Sequence, residues 1–251
     1  MSPVEALRQN VSETFIALAL AVENTEVSRT PHYWLCRNSL HHPLANFAIH
    51  LDVTEESLGT LLQYARSYPH FRIYVLPGDS PGDLAARLVQ RGLSMVSLLI
   101  GMHLNAPPVN PPPVARLARP DELPEVSEFI VQNFFWNSPE PFRYAIREAL
   151  TKAQAVPHHF YVSTVEDQIV AAGTLTYTDG VAGLYNVCVH PRHRNRGLGS
   201  ALVRQLSALA TQEHRPLVLL CEPELRIWYQ SLGFEEIGES RAFVGFSPTE
   251  P

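Results

Sequence analysis

Lysine is almost missing from this chain. Of its 251 residues only Lys152 is a lysine, so the other basic residues among its nineteen are all arginine. No Gly-Lys-Ser/Thr loop can be written, which excludes a Walker-type phosphate site, and only Lys152 could form a Schiff base. Cysteine is scarce as well. Cys36, Cys188 and Cys221 are odd in number and far apart, which excludes a disulfide framework and a CxxC metal site and suits a reducing cytosol. Long apolar runs are lacking. The longest near the start, Phe15 to Val22, falls far short of the ~20 residues of a membrane span. Glu5 and Glu13 stand where a secretory leader would be basic. The expectation is a cytoplasmic protein with no membrane partner. Positive charge is in deficit too: 19 basic against 25 acidic residues give a net charge of −6, without the basic footprint of a nucleic-acid binder. No nucleic-acid partner is expected.

What the chain has is an ordinary core and much proline. Hydrophobic residues make up 45% and charged residues 18%, which excludes wholesale disorder. Much of the proline excess lies in Asn105-Ala-Pro-Pro-Val-Asn-Pro-Pro-Pro113. Proline fixes φ and removes a backbone donor, so this run predicts an extended, semi-rigid connector. It divides the chain into a first domain at 1–104, a linker at 105–113 and a second domain at 114–251.

Both segments read as α/β (α+β). In the first, Ser2-Pro3-Val4-Glu5 is a helix start, and Leu7, Val11, Phe15, Leu18 and Val22 form one apolar stripe. Phe47 to Val53 alternates like a half-buried strand. A helix is expected from Thr54 to about Arg66, a strand at Phe71–Leu76, and a helix from Ser80-Pro81-Gly82-Asp83 to Gly92. Leu93 to Leu104 reads as one or two strands. The second predicts helices at Arg119–Phe134 and Ser138–Ala153, and strands at Phe160–Val165, Ile169–Tyr177 and Leu184–Val189. After these come a helix from Gly197 to about Glu213, a strand at Leu217–Cys221, a helix at Leu225–Leu232 and further strands in Phe234–Phe246.

Chemistry concentrates after Leu184. Leu184 to Leu202 is a strand, a basic turn with two glycines, and an apolar helix. Gly197 and Gly199 let a ligand approach the backbone. The first amides of a helix have no internal partners and its dipole favours an anion there. Arg192, Arg194 and Arg196 add positive charge, so the turn reads as a pyrophosphate cradle. A Rossmann fingerprint would need a third glycine where Leu202 stands.

Arg194-Asn195-Arg196-Gly197-Leu198-Gly199 resembles the Arg/Gln-x-x-Gly-x-Gly/Ala acyl-CoA motif of the GNAT superfamily of N-acetyltransferases. Val187-Cys188-Val189-His190-Pro191 is similar to that family's central strand. Trp228-Tyr229-Gln230-Ser231-Leu232-Gly233-Phe234 resembles its Tyr-x-x-x-Gly-Phe signature. The resemblance covers about residues 114–246. It implies acetyl-CoA as cosubstrate, without a metal. The amides of Asn195, Arg196, Gly197, Leu198, Gly199 and Ser200 would hold the pyrophosphate. The backbone of Val187, Cys188 and Val189 would pair with the pantetheine arm. Tyr229 would be the acid that protonates the departing thiolate, since a phenol of pKa near 10 keeps its proton at neutral pH.

One position departs from the pattern. Many relatives carry Asn seven residues before the tyrosine, where Glu222 stands here. Glu222 is either an anion near a helix start or a substrate-binding group or base. Glu140, Tyr185 and Asn186 are the other candidates for the base, and spacing favours none. His41-His42 and His158-His159 lack zinc spacing, and with His190 and His193 they read as structural or solvated. Cys188 reads as a small buried residue.

The first segment looks like a worn copy of the second. Aligning Gly92 with Gly233 puts Leu88 where Tyr229 stands, and there is no Arg-x-x-Gly-x-Gly run. The resemblance is then to tandem GNAT proteins with one degenerate half, which would shape the acceptor cleft. The expected partner is a small-molecule or peptide amine, and the protein a monomer or homodimer. Two rival functions are a non-catalytic acyl-CoA sensor, and a nucleotide-binding protein that uses Gly197-Leu198-Gly199 without CoA.

Overall fold

A computed structural model of the chain describes residues 1–39, 42–68, 70–153 and 156–245. His41 and Phe246 lie outside the described residues. Helix α1 (Pro3–Leu20) starts as its sequence dictates: Ser2 is the N-cap, its hydroxyl accepts from the Glu5 amide, and Pro3 takes the first turn. Next come β1 (Glu26–Arg29), β2 (Trp34–Arg37), β3 (Phe47–Ile49), α2 (Glu55–Ser67), β4 (Arg72–Val75), α3 (Leu84–Gln90) and β5 (Ser94–Leu104). Beyond the linker stand β6 (Arg116–Leu117), α4 (Leu123–Asn133), α5 (Glu140–Lys152), β7 (His158–Val165), β8 (Gln168–Thr178) and β9 (Val181–Val189). The chain closes with α6 (Leu198–Gln212), β10 (Leu217–Cys221), α7 (Arg226–Gln230) and β11 (Phe234–Val244).

The strands form one sheet in the order β1-β2-β3-β4-β11-β5-β10-β9-β8-β7-β6. That order is nearly a palindrome. From β1 to β5 and from β7 to β11 the chain runs strand, strand, strand, helix, strand, short helix, long strand. In each half the third strand pairs in parallel with the fourth, β3 with β4 and β9 with β10. The last strands are exchanged: β5 lies between β10 and β11, and β11 between β4 and β5. The halves are therefore two copies of one topology, each completed by the other's final strand. Gly101 and Gly238 face each other at the centre of the β5–β11 ladder. A Cβ on Gly101 would come within 2.5 Å of Leu7 Cδ2.

Helix α1, from the first segment, packs over strands of the second. Leu7, Val11 and Ile16 share a core with Phe47, Ile49, Val181 and Val218. Asn10, on the same buried face, donates to the Thr176 carbonyl (3.1 Å) and Thr178 Oγ1 (2.9 Å) and accepts from the Tyr185 hydroxyl (2.7 Å). Helices α4 and α5 extend this face of the sheet, where Val126, Ile130, Ile146 and Leu150 pack on Phe160, Ala172 and Cys188. Helix α6 covers the other face through Leu202, Val203 and Leu206 on Ala171, Leu175 and Leu184. The linker is fastened where it begins: the Asn105 and Ala106 amides donate to the Gly233 carbonyl.

Several sequence expectations shift. The alternation at Phe47–Val53 gives a strand only to Ile49, because His50 takes φ 59° and turns the chain. Leu93–Leu104 is one strand, not two. Asp83 stands before α3 without a side-chain capping bond. Strands β1, β2 and β6 were not anticipated: all are short, four residues or fewer, and β1 and β6 are mostly exposed, so they carry little periodic signal.

Candidate active site

The second half holds a split in the sheet. β9 and β10 pair only at Leu217–Ala182 and Val218–Gly183. Beyond Gly183, the side of β9 facing away from β8 pairs with no strand among the described residues. A bulge lies within this stretch. Between the pairs Ala172–Cys188 and Thr174–Tyr185 one residue of β8, Gly173, faces two of β9, Asn186 and Val187, and Asn186 adopts φ 54°. Tyr185 and Asn186 both border the cavity described below, as do Leu184 and Val187, which together with Val189 also meet the α6 core.

After Val189 the chain enters the basic turn. His190 Nδ1 accepts from the Arg192 amide (3.3 Å), and Arg194 Nε donates to the Val189 carbonyl (2.9 Å). Asn195 (φ 60°) and Gly197 (φ 79°) are both left-handed, and Gly197 is the N-cap of α6. A residue with a Cβ is strained in that conformation, which explains this glycine. No side chain caps α6. Among the described residues the backbone amides of Asn195 through Ser200 donate to no backbone carbonyl, and the first partnered amide is that of Ala201, to Gly197. These free donors, the helix dipole and the exposed Arg192 and Arg196 together favour an anion at this turn.

Tyr229 projects from α7 and is 6% exposed. Its ring packs edge-on against Phe234 (5.6 Å) and Trp228 (4.6 Å). Burial raises its phenol above the ordinary value, so it is protonated at neutral pH. No hydrogen bond holds its hydroxyl among the described residues. Trp228, which sequence reasoning passed over, donates through Nε1 to Ser200 Oγ (3.1 Å) and so ties α7 to the start of α6. Gly233 ends α7 at φ 94°, and a Cβ there would come within 2.2 Å of the Ala106 carbonyl oxygen. The glycine of the Tyr-x-x-x-Gly-Phe run is thus required by both conformation and space.

A cavity of about 260 Å³ opens at the split. It reaches from Tyr229 and Leu220 past Tyr185, Asn186 and Val187 to the face covered by α1 and α5. Of the proposed bases, Tyr185 and Asn186 border it. Glu140 and Glu222 do not; both are exposed, and Glu140 pairs with Arg143. Cys188 is 6% exposed and burial pushes its thiol up to about 12, so it is no thiolate nucleophile.

The corresponding place in the first half is closed. The edge after β3 is taken by the chain itself: Ser80 donates to the Leu51 carbonyl and accepts from the Val53 amide. Buried Arg8 fixes this segment by pairing with Asp79 and Asp52, each at 2.8 Å. Helix α2 is capped reciprocally by Thr54 and Ser57 and begins with Glu55 and Glu56. Its N-terminus is filled and negatively flanked, which repels an anion. Leu88, in the place of Tyr229, is fully buried.

Residues 157–236 match the family of the acetyltransferase (GNAT) domain. The chain carries a GNAT domain. Solved structures share the fold over nearly the whole length. A GCN5-related N-acetyltransferase from Kribbella flavida is 15% identical at a TM-score of 0.65, covering 95% of this chain and 96% of that one. A putative GNAT-family acetyltransferase from Novosphingobium aromaticivorans is 18% identical at 0.58, covering 96% and 99%. A tandem GNAT protein from the clavulanic acid biosynthesis pathway is 15% identical at 0.55, covering 96% of each chain. No curated protein matches the chain. The two copies seen in the sheet are thus two GNAT-like domains, and the uncapped helix start with its free amides lies in the second.

The second GNAT domain fits a CoA thioester on its own geometry. A pyrophosphate needs clustered donors, which the amides of 195–200 supply. An amide-bearing pantetheine arm needs an open strand edge, which β9 supplies beyond Gly183.

Proposed function

We propose that this protein is an acyl-CoA-dependent N-acyltransferase, transferring acetyl from acetyl-CoA to a primary amine by direct attack. One observation carries the reading. The uncapped start of α6, the unpaired edge of β9 and the buried, protonated Tyr229 converge on one split in the sheet. When bound, acetyl-CoA supplies an activated acyl group. The amides of Asn195, Arg196, Gly197, Leu198, Gly199 and Ser200 hold its pyrophosphate, and Arg194 braces the turn from Val189. The backbone of Val187, Cys188 and Val189 aligns the pantetheine arm as an added strand. Tyr229 holds its proton on Oη at neutral pH and delivers it to the leaving sulfur. Tyr185 and Asn186, brought to the cavity by the bulge, orient the amine.

The test is calorimetric titration with acetyl-CoA, NAD and ATP, followed by CoA release over a panel of amines. Selective acetyl-CoA binding with amine-dependent release supports the reading. Binding without release from any amine would make the protein a sensor. Preference for NAD or ATP would overturn the reading.

A further inference from the structure

The cavity at the split says what kind of amine enters. Its walls come from both halves: Phe15 and Leu18 of α1, Phe47 of β3, and Phe142 of α5 stand opposite Tyr185 and Tyr229. No Asp, Glu, Lys or Arg borders it among the described residues. The polar groups in the wall are already engaged or uncharged. Tyr185 donates to Asn10, and His158 Nδ1 contacts Thr176 Oγ1 at 2.9 Å. Burial lowers the His158 imidazole to about 4, so it is neutral at pH 7. A diamine or polyamine would bring a second positive charge into this space with no carboxylate to meet it, a costly desolvation. A dry cavity of ~150 Å³ already accepts a benzene ring, so about 260 Å³ holds a ring and a short linker.

The placement separates acceptor from acyl donor. The free amides belong to the start of α6, on one face of the sheet, while the cavity runs through the split to the face of α1 and α5. Resting on the function proposed above, we infer that the acceptor is a monoamine with an uncharged aromatic or bulky aliphatic body, and that this body is seated between α1 and α5. The disarmed first half then acts as the specificity wall of the working half.

The test uses the whole chain and three measurements. With acetyl-CoA saturating, CoA release is compared for 2-phenylethylamine and spermidine. The expectation is kcat/KM about a hundredfold higher for 2-phenylethylamine. Calorimetry with 2-phenylethanol, which carries the body without the amine, probes the cavity in the absence of acetyl-CoA. Binding is expected, weakened about tenfold in Phe142→Ala by loss of apolar contact, with acetyl-CoA affinity unchanged. Phe142 is only half-buried at the cavity rim, so its truncation tests the wall without emptying the core. Thirdly, phenylacetyl-CoA is compared with acetyl-CoA as donor. Preference for spermidine, or no 2-phenylethanol binding, would overturn the inference. So would a phenylacetyl donor that competes with 2-phenylethanol, since the cavity would then seat the acyl chain. Failure to bind acetyl-CoA would refute the enzymatic reading separately, while the 2-phenylethanol arm still judges the cavity.

Discussion

Asn10 is the sharpest test of how the first segment serves the second. It is fully buried on α1 and holds three groups of the second half: the Thr176 carbonyl, the Thr178 hydroxyl and the Tyr185 hydroxyl. Asn10→Leu keeps nearly the same volume and removes all three bonds. A buried polar group left without a partner costs about 1–3 kcal/mol. The cost falls on all three groups, and the Tyr185 hydroxyl keeps only Thr14 beside it. The total should be about 3 kcal/mol. For a chain of this size, about 2–4 °C is lost per kcal/mol, so the midpoint of thermal unfolding, followed by circular dichroism, should fall by roughly 6–12 °C. Affinity for acetyl-CoA should change little, because the 195–200 turn lies on the far side of β9, while amine turnover falls as Tyr185 loses its anchor. A shift below about 3 °C, under ~1 kcal/mol, would refute the claim that α1 fixes this wall.

Gly233→Ala should destabilise the protein by more than about 2 kcal/mol, as φ 94° and the Ala106 carbonyl both reject a Cβ; equilibrium urea unfolding reads it, and a loss within ~0.5 kcal/mol would contradict the fit. His158 gives a pH dependence. Its folded value near 4 lies below the unfolded ~6.5, so between these values the unfolded chain binds more protons and stability rises with pH. Acidification from pH 6.5 to 4 should remove up to about 3 kcal/mol through this group. A urea series over that window should show a shallower slope in His158→Gln, and an unchanged slope would exclude the assignment.

Legibility in the sequence followed how local each signal is. The α1 start, the β10 strand, the α6 helix and the Gly turns could be read because caps, proline and apolar period act within a few residues. Tyr229, Gly197 and Gly233 were legible through motif spacing, and the structure supplies reasons for the two glycines. The exchange of β5 and β11 was not legible, since pairing over more than a hundred residues leaves no local trace. The cavity was hidden for the same reason: Phe15, Phe47 and Phe142 look like ordinary core positions, and only the assembled sheet brings them round one space. Asn10 did leave a signal, a polar residue on the apolar stripe beside Leu7 and Val11. Its three partners lie in the second half and could not be named in advance. The plugged first half was visible as a missing glycine run and as Leu88 in the place of Tyr229; Ser80, Arg8 and Asp79 show what took the place of the run.

In the proposed reaction Tyr229 supplies a proton at a split that binds acetyl-CoA independently of it. The direct measurement is Tyr229→Phe, with single-turnover amine acetylation and acetyl-CoA calorimetry on the same preparation. The chemical step should slow by about 10²–10⁴-fold with acetyl-CoA affinity within about twofold of the parent, because the cradle at 195–200 does not use the hydroxyl. An undiminished rate, or loss of binding in step with loss of rate, would contradict it.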